Sequence, residues 1–423
     1  MIKLLSESKN FNQKQPASGL LASIRETGYK NCERLGLPTK KSEAWKYTGL
    51  KQISDIDWTH AQSVSVTESV LSQITTKLSQ DFFNLVFIDG VFNSKISATI
   101  GDFKLQNITW SEQYDLSLDQ NSDFFESLHG AYFQKRYQLE IQKESQPVRP
   151  IHIIHIHLTD KALVQNHVTV NVGGGAKLSI LESFICLDNS VLQTLSNSIT
   201  KINLFDNSFL CYLRNQNENN LAFHLGKTEI RQSQNSQLEI SSLSFGAQLS
   251  KHELTIELKG QGASSQVFGA AIGNKQQHHD QQTWIKHSVG YCTTKQLYKT
   301  LLDGASRAIF NGKVSIALNA QKAFSEQLNS NLLLSAGAEA DSRPQLEILA
   351  DDVKATHGTT VGQLDEDEIF YLMSRAISRE RAIEILSFGF IAETVEQLSD
   401  MRLKKVALEQ IANAFKNLES LQK

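Results

Sequence analysis

DSRPQLEILADDVKATHGTTVGQLDEDEIFYLMSRA, residues Asp341 to Ala376, begins as short alternating strands and ends as an acidic-capped helix. Pro344 to Leu349 (PQLEIL) reads as a strand that starts at its proline, where no ladder donor is lost. Val353 to His357 reads as a second short extended piece. Gly358 and Gly362 are expected to interrupt it, at points that need unusual backbone dihedrals. Asp365, Glu366, Asp367 and Glu368 follow, where carboxylates favour the positive end of a helix dipole. The stretch is therefore a seam between a β body and a helical tail, and His357 sits on it.

Upstream of the seam, from Pro150, strand-like runs recur about every ten residues between polar or glycine punctuation. IHIIHIHL (Ile151–Leu158), HVTVNV (His167–Val172), KLSILESF (Lys177–Phe184), ITKINLF (Ile199–Phe205) and FLCYLRN (Phe209–Asn215) set the texture, which continues to QLEILADDV. No helical crossover fits between them, so an all-β solenoid or sandwich is expected rather than an α/β sheet. Gly173-Gly174-Gly175 and Gly260-Gln261-Gly262 suit tight corners. Without an exact repeat, pattern alone leaves solenoid and sandwich both open.

Before Gln80 the chain reads as helices and loops, with Leu20, Leu21, Ile24 and Tyr29 on one face ahead of Gly36. LGLPTKKSEAWKYTGL, from Leu35 to Leu50, offers Thr39 or Ser42 as a cap and Trp45 and Tyr47 as aromatic anchors among lysines. It reads as a helix start with a solvated lysine face, or else as a docking face. NLVFIDGVFN (Asn84–Asn93) is a hairpin turning at Asp89-Gly90. Asp123 to Lys143 begins helically, with Gly130 as an interruption, and Gln146 to Pro150 is the expected boundary. Beyond Leu364, Ser378 is an N-cap for a helix presenting Phe388, Ile391, Val395 and Leu398, which Gly389 weakens or bends, and Arg402 to Leu421 forms another. Their apolar faces need a covering surface, either the β body's own end or another protein. The expected regions are 1–150, mainly helical with a small hairpin; 151–364, the β core; and 365–423, a C-terminal helical domain.

Composition bounds the function. The chain has 423 residues, a formal charge of −3 and no long basic run, so nucleic-acid binding has no electrostatic support. No apolar run is long enough for a spanning helix, and MIKLLSESKNFNQ lacks a secretory h-region, so no membrane association is expected and the cytoplasm is the default location. Cys32, Cys186, Cys211 and Cys292 are scattered without CxxC and read as buried, reduced thiols. His155 and His157 share a strand face and can be imagined as a cupin-like metal pair. However, Asp160 is too near and His167 lacks an acidic companion, so satisfied or surface strand histidines are expected. His278-His279-Asp280 reads as a solvated loop. No GxSxG, HExxH, Walker A or dinucleotide fingerprint occurs. Gly173-Gly174-Gly175 precedes a strand, not the helix N-terminus that a phosphate cradle needs. His357, one imidazole near the end of the β body, can bind iron without committing its site to four thiolates.

PQLEILADDVKATHGTTVGQLDEDEIFYLMSR is similar to the C-terminal signature of the SufB/SufD family, the iron–sulfur cluster assembly proteins of the SUF system. LPTKKSEAWKYTGL resembles an N-terminal motif of its SufD branch, which SufB sequences do not carry in this form. The resemblance implies a mainly β protein: a right-handed parallel β-helix core with helical N- and C-terminal regions. It implies a non-catalytic scaffold subunit that pairs with SufB through the β-helix, near Asp341–His357. The SufC ATPase would bind the C-terminal helices, about 366–400, and a homodimer is allowed when SufB is missing. In HGTTVG, His357 to Gly362, the histidine would face the SufB cysteine that holds a nascent Fe–S cluster, making His357 a candidate iron ligand. No cofactor would be tightly bound, only a transient cluster shared with SufB. Many relatives carry a cysteine two residues before this histidine; here it is Ala355, so that ligand is absent. Leu328 to Leu334 occupies the place of SufB's scaffold cysteine and contains none. The rival readings are a stand-alone β-helix enzyme acting on polysaccharide and a cupin using His155 and His157. The first would need secretion and a lined-up row of carboxylates, neither of which is evident.

Overall fold

The computed structural model describes residues 3–61, 66–187 and 191–421. The repeating strands wind into a parallel β-solenoid of about eight turns, with helices at both ends of the chain. Successive strands alternate between two sheets, so each strand pairs with the strand two before it and the strand two after it. Residues about thirty apart therefore stack in register. Leu139, Val170, Ile202, Ile230, Ile256, Ile285, Val314 and Leu346 form one such aliphatic ladder through the first sheet. All but the last are buried, each stabilising the stack by roughly 1.5–3 kcal/mol through removal of apolar surface from water. Leu346 is only partly buried because no turn follows it. Solenoid rather than sandwich is thus a matter of pairing: the alternation within each strand suits either architecture, but here every sequential neighbour crosses to the opposite sheet.

Corners form where the glycines stand. Gly175 and Gly262 adopt φ of +70° and +73°, a region open to glycine without steric cost. The Asp89-Gly90 turn joins antiparallel strands Phe83–Ile88 and Val91–Phe92, with both turn residues at positive φ. The first of these strands also pairs in parallel with Ile151–His157, while Arg136–Ile141 pairs with Ala162–Val172. Strands from both sides of Gln146–Pro150 therefore enter the two sheets. At this N-terminal end each sheet finishes in an antiparallel pair, Phe83–Ile88 with Val91–Phe92 and Ile108–Gln113 with Arg136–Ile141.

Helix α1 (Gly19–Leu35) ends at Gly36, whose φ of +67° terminates the helical path. Ile24 and Cys32 are buried on its inner face, whereas Leu20 is exposed. It packs on α2 (Phe124–Ala131), which opens with a capping box between Asp123 and Glu126. Gly28 lies at their crossing, and Gly130 sits within α2 without interrupting it. A Cβ at Gly28 would fall 2.4 Å from Ala131 N and 2.6 Å from Ser127 O, both backbone atoms. Gly28→Ala is expected to cost about 2–3 kcal/mol, because neither helix can yield without shifting. A denaturant midpoint equal to the parent's would contradict this close approach.

Several expectations need correction. The strand containing Pro344 does not start there but runs from Glu339 to Ile348. It is the terminal strand of the first sheet, and an edge tolerates a missing N–H. Gly358 and Gly362 do not break the next piece; Lys354–Gly362 is one continuous strand, and neither glycine has positive φ. His278-His279-Asp280 is not a solvated loop but the start of the strand His278–His287. His279 is buried inside the solenoid, and His278 and Asp280 lie under Thr48, whose hydroxyl donates to Asp280 (2.5 Å). The Leu35–Leu50 stretch forms only a short 3-10 turn at Glu43–Trp45, strapped across the first sheet. Trp45 packs tilted against Phe125 (ring centroids 5.1 Å) beneath the Lys251 ammonium, which donates to Ala44 O (3.0 Å).

Candidate functional site

The strand Lys354–Gly362 is the last of the second sheet, and Glu339–Ile348 is the last of the first. Each pairs on one side only, so each presents a row of unpaired backbone donors and acceptors. Alternation places Ala355, His357, Thr359 and Val361 on one face of their strand. Ala355 packs against the main apolar cluster, and the Thr359 hydroxyl lies 3.5 Å from the Asn329 side-chain oxygen, so this is the face turned toward the solenoid's interior. His357 stands between them, in register with the fully buried Gln327 of the preceding rung. It is nonetheless exposed, because no further turn closes over it. An inward position thus opens onto solvent at the end of the stack.

A polar network holds this end. Asn331 Nδ2 donates to Asn329 Oδ1 (2.8 Å), Ser342 Oγ (3.1 Å) and Thr360 O (3.0 Å), linking both terminal strands to the rung above. Outside, Arg307 binds Asp341 (2.6 Å), Lys313 binds Glu347 (2.8 Å) and Arg343 binds Glu43 (3.0 Å), fixing Glu339–Ile348 from its flank. Around the opening stand exposed apolar side chains: Leu328, Ile348, Leu349 and Val361. The segment Leu328–Leu334 lies within and just after Phe324–Leu333, the penultimate strand of the second sheet, and it holds no thiol.

The tail explains why the end stays open. Helix α3 (Glu366–Met373) follows, then α4 (Arg379–Glu396) and α5 (Met401–Phe415). Ser378 caps α4 by accepting from Arg381 N (3.3 Å), Gly389 leaves the helix unbroken, and Ile391 and Val395 are buried. Together α4 and α5 cover the outer face of the second sheet, joining a cluster with Leu181, Leu213, Leu243 and Leu301. They run along the side of the solenoid, not across its end. In contrast α3 keeps Phe370 and Tyr371 71% and 56% exposed, beside the acidic first turn of Glu366, Asp367 and Glu368.

The HxH pair is elsewhere and buried. His155 Nε2 lies 3.0 Å from Glu182, and His157 Nε2 lies 3.3 Å from Glu218. Asp160 accepts from Gln193 N (2.8 Å), and His167 lies on the outside of the first sheet. Among the described residues no three His, Cys, Asp or Glu side chains converge as a metal site. None of the four cysteines forms a disulfide among the described residues, and Cys186 is less buried than the others. Burial pushes the Cys32 and Cys211 thiols up to about 12, which keeps them protonated.

Sequence reasoning missed the charged interior. Glu182, Arg214 and Glu218 lie on inward positions with His155, His157 and His224, all inaccessible to solvent. The signal was present as charged residues at apolar phases of LESF and YLRN.

Residues 155–390 match the family model described as SUF system FeS cluster assembly, SufBD core domain. The chain is 29% identical to the iron–sulfur cluster assembly protein SufD of Escherichia coli over 395 residues, covering 89% of each chain. It is also 29% identical to an iron–sulfur cluster assembly SufBD family protein of Synechocystis, covering 94% of this chain and 89% of that one. A chloroplastic protein of Arabidopsis thaliana, ABCI7, is 24% identical over 96% of this chain and 89% of its own. No helix among the described residues is long and apolar enough to cross a membrane.

Proposed function

Since the chain belongs to the SufBD family of SUF-system iron–sulfur cluster assembly proteins, we propose that it serves there as a SufD-type scaffold subunit without catalysis of its own. Its uncapped C-terminal rungs would pair with a SufB-type solenoid. Two exposed strand edges and a surrounding apolar rim favour continuation of the sheets by another chain. The observation that carries this reading is His357: an inward-facing imidazole left open only because the stack ends there. A partner solenoid would close over it, and His357 would then be one ligand to a nascent Fe–S cluster, the cargo of assembly, with thiolates supplied from the partner's side. Ala355 contributes no second ligand.

The SufC ATPase would dock on the helical tail between residues 366 and 400, where the aromatic side chains of α3 are unburied beside carboxylates. Nucleotide-driven movement of the ATPase would be transmitted through α4 to the second sheet, on which α4 is packed. A homodimer through the same edges would form when the partner is missing. The proposed setting is cytoplasmic, with neither nucleic acid nor membrane as a partner.

The test is co-expression with a SufB-type paralogue and a SufC-type ATPase. His357→Ala should leave co-purification of all three chains intact while cluster yield falls about tenfold, the scale expected when a ligand's support is lost. Normal cluster yield in an intact complex would remove His357 from the site. Failure to co-purify either partner with the parent chain would remove the scaffold reading itself.

A further inference from the structure

Away from the open end, the outer face of the first sheet carries a hollow of about 180 Å³. Its floor comes from three neighbouring strands in register: Thr169 pairs with Lys201 and Lys201 with Glu229, while Asn171, Asn203 and Arg231 form the next row. His167 completes the floor, and Arg136 with the segment Asp115–Ser117 forms the wall. The hollow lies beyond α2, on a face used neither by the terminal edges nor by the helical tail.

Two features distinguish it from an ordinary charged surface. His167 is only 4% exposed and lines the hollow, yet neither ring nitrogen has a hydrogen-bond partner. An imidazole in that position has unmet bonding capacity, which a buried group satisfies in nearly every folded protein. The second feature is charge. Arg136, Lys201 and Arg231 converge, and the two carboxylates present are already engaged. The Asp115 carboxylate accepts from Arg136 Nη2 at both oxygens (3.0 and 3.1 Å), and Glu229 is shared between Lys201 (3.3 Å) and Lys227 (3.7 Å). Arg231 is exposed and has no ion-pair partner among the described residues.

We propose that this hollow binds a small phosphate-bearing anion, with Arg231 and Lys201 holding its charge and His167 donating to one of its oxygens. Arg231 supplies the planar fork that suits a phosphate's paired oxygens. The Thr169 hydroxyl and Asn203 amide provide neutral donors on the same floor. Burial, with His129, Lys201 and Arg136 nearby, holds the empty-state His167 well below the ordinary histidine range. A bound dianion reverses the surrounding field and favours the imidazolium, adding a second donor. The site is independent of the scaffold reading, since it uses no residue of the terminal rungs.

The full-length chain, labelled at histidine nitrogens, is titrated with inorganic phosphate and then with glycerol 3-phosphate, with sodium chloride matched in ionic strength as control. The His167 ring signals should move saturably with both phosphates, toward the imidazolium pattern, and remain still with chloride. Arg231→Gln, at an exposed position that leaves the fold intact, should weaken the response at least about tenfold. Lys313→Gln, on the same sheet but remote from the hollow, should leave it unchanged. The assignment is overturned by a non-saturating His167 response, by an equal response to chloride, or by an Arg231→Gln isotherm like the parent's. A response to phosphatidic acid vesicles without one to soluble phosphate would also overturn it, in favour of a lipid surface.

Discussion

Replacing Leu349 and Val361 together by glutamate is expected to abolish pairing with a SufB-type subunit, weakening association at least about a hundredfold while sparing the isolated fold. Both side chains stand at the open end of the solenoid, 60% and 52% exposed. In the free chain each new carboxylate remains hydrated, so stability should change by no more than about 0.5 kcal/mol. In a continued sheet both would be desolvated beside an apolar partner surface without a counter-charge, and truncating complementarity at the centre of an interface costs several kcal/mol. Leu105 and Val148 are comparably exposed but lie outside the terminal rungs, so Leu105→Glu/Val148→Glu is the matched control. Sedimentation velocity with the partner reads the outcome. An affinity equal to the control's would place the interface elsewhere on the molecule, and His357 would lose its proposed seat at a shared border.

The second large effect is on stability. Arg214→Leu is expected to destabilise the chain by about 3–5 kcal/mol at pH 7, the cost of leaving buried charges without their partner. The guanidinium is 1% exposed, lies over the Phe184 ring at 5.0 Å and donates to His224 Nε2 (2.5 Å). That bond makes His224 Nε2 the acceptor and leaves its Nδ1 proton facing Glu218, 2.8 Å away. Glu182, on the other side, accepts from Thr200 (3.0 Å), His155 (3.0 Å) and the Tyr212 hydroxyl. Removing Arg214 takes the nearby positive charge from buried Glu182 and leaves His224 Nε2 without its donor.

The same cluster sets an acid limit. Burial by itself would raise Glu218, but His224 and His157 beside it more than offset this and hold it well below the usual carboxylate range. Glu182 is likewise lowered: burial opposes, while the bond from His155 and the charge of Arg214 prevail. A depressed folded value means that the stabilisation is complete above the unfolded range, near pH 4.3, and fades as pH falls through the folded value. Buried neutral histidines such as His152, His252 and His279 must also charge on unfolding, so the parent should already lose stability as pH falls below about 6.5 and lose it more steeply below about pH 4. In Arg214→Leu the carboxylates take up protons at higher pH, so the deficit against the parent should shrink between pH 7 and pH 5. Urea denaturation at both values tests this. A variant within about 1 kcal/mol of the parent at pH 7 would show that the interior charges are not mutually dependent.

Much of the local structure was legible because it depends on neighbours in the chain. Asp89-Gly90 makes its hairpin, Gly36 ends α1 and Ser378 starts α4 for reasons confined to a few residues. Errors arose where the deciding neighbour was distant. Pro344 reads as a strand start because a proline inside a ladder is costly, yet on a terminal rung its missing donor faces no partner. His278-His279-Asp280 reads as a loop because adjacent histidines on a strand point to opposite faces and make a poor shared site, and within a strand each buried polar group needs a bonding partner from far along the chain. The Ser244 hydroxyl within 2.9 Å of His279 Nδ1, and Thr48 over Asp280, supply those bonds.

By itself the sequence determined that there would be a long β body of alternating strands, helices at both ends and a histidine-bearing seam at Asp341–Ala376, since periodicity, caps and corners act over a few residues. Its likeness to the SufB/SufD family pointed to the solenoid. Only the tertiary structure decided which faces meet. It brought Glu182, Arg214 and Glu218 into one buried cluster, because residues about thirty apart become neighbours through the stacking of turns. It also left His357 open to solvent, because α4 and α5 bury their apolar faces along the side of the second sheet and so leave the last rung uncovered.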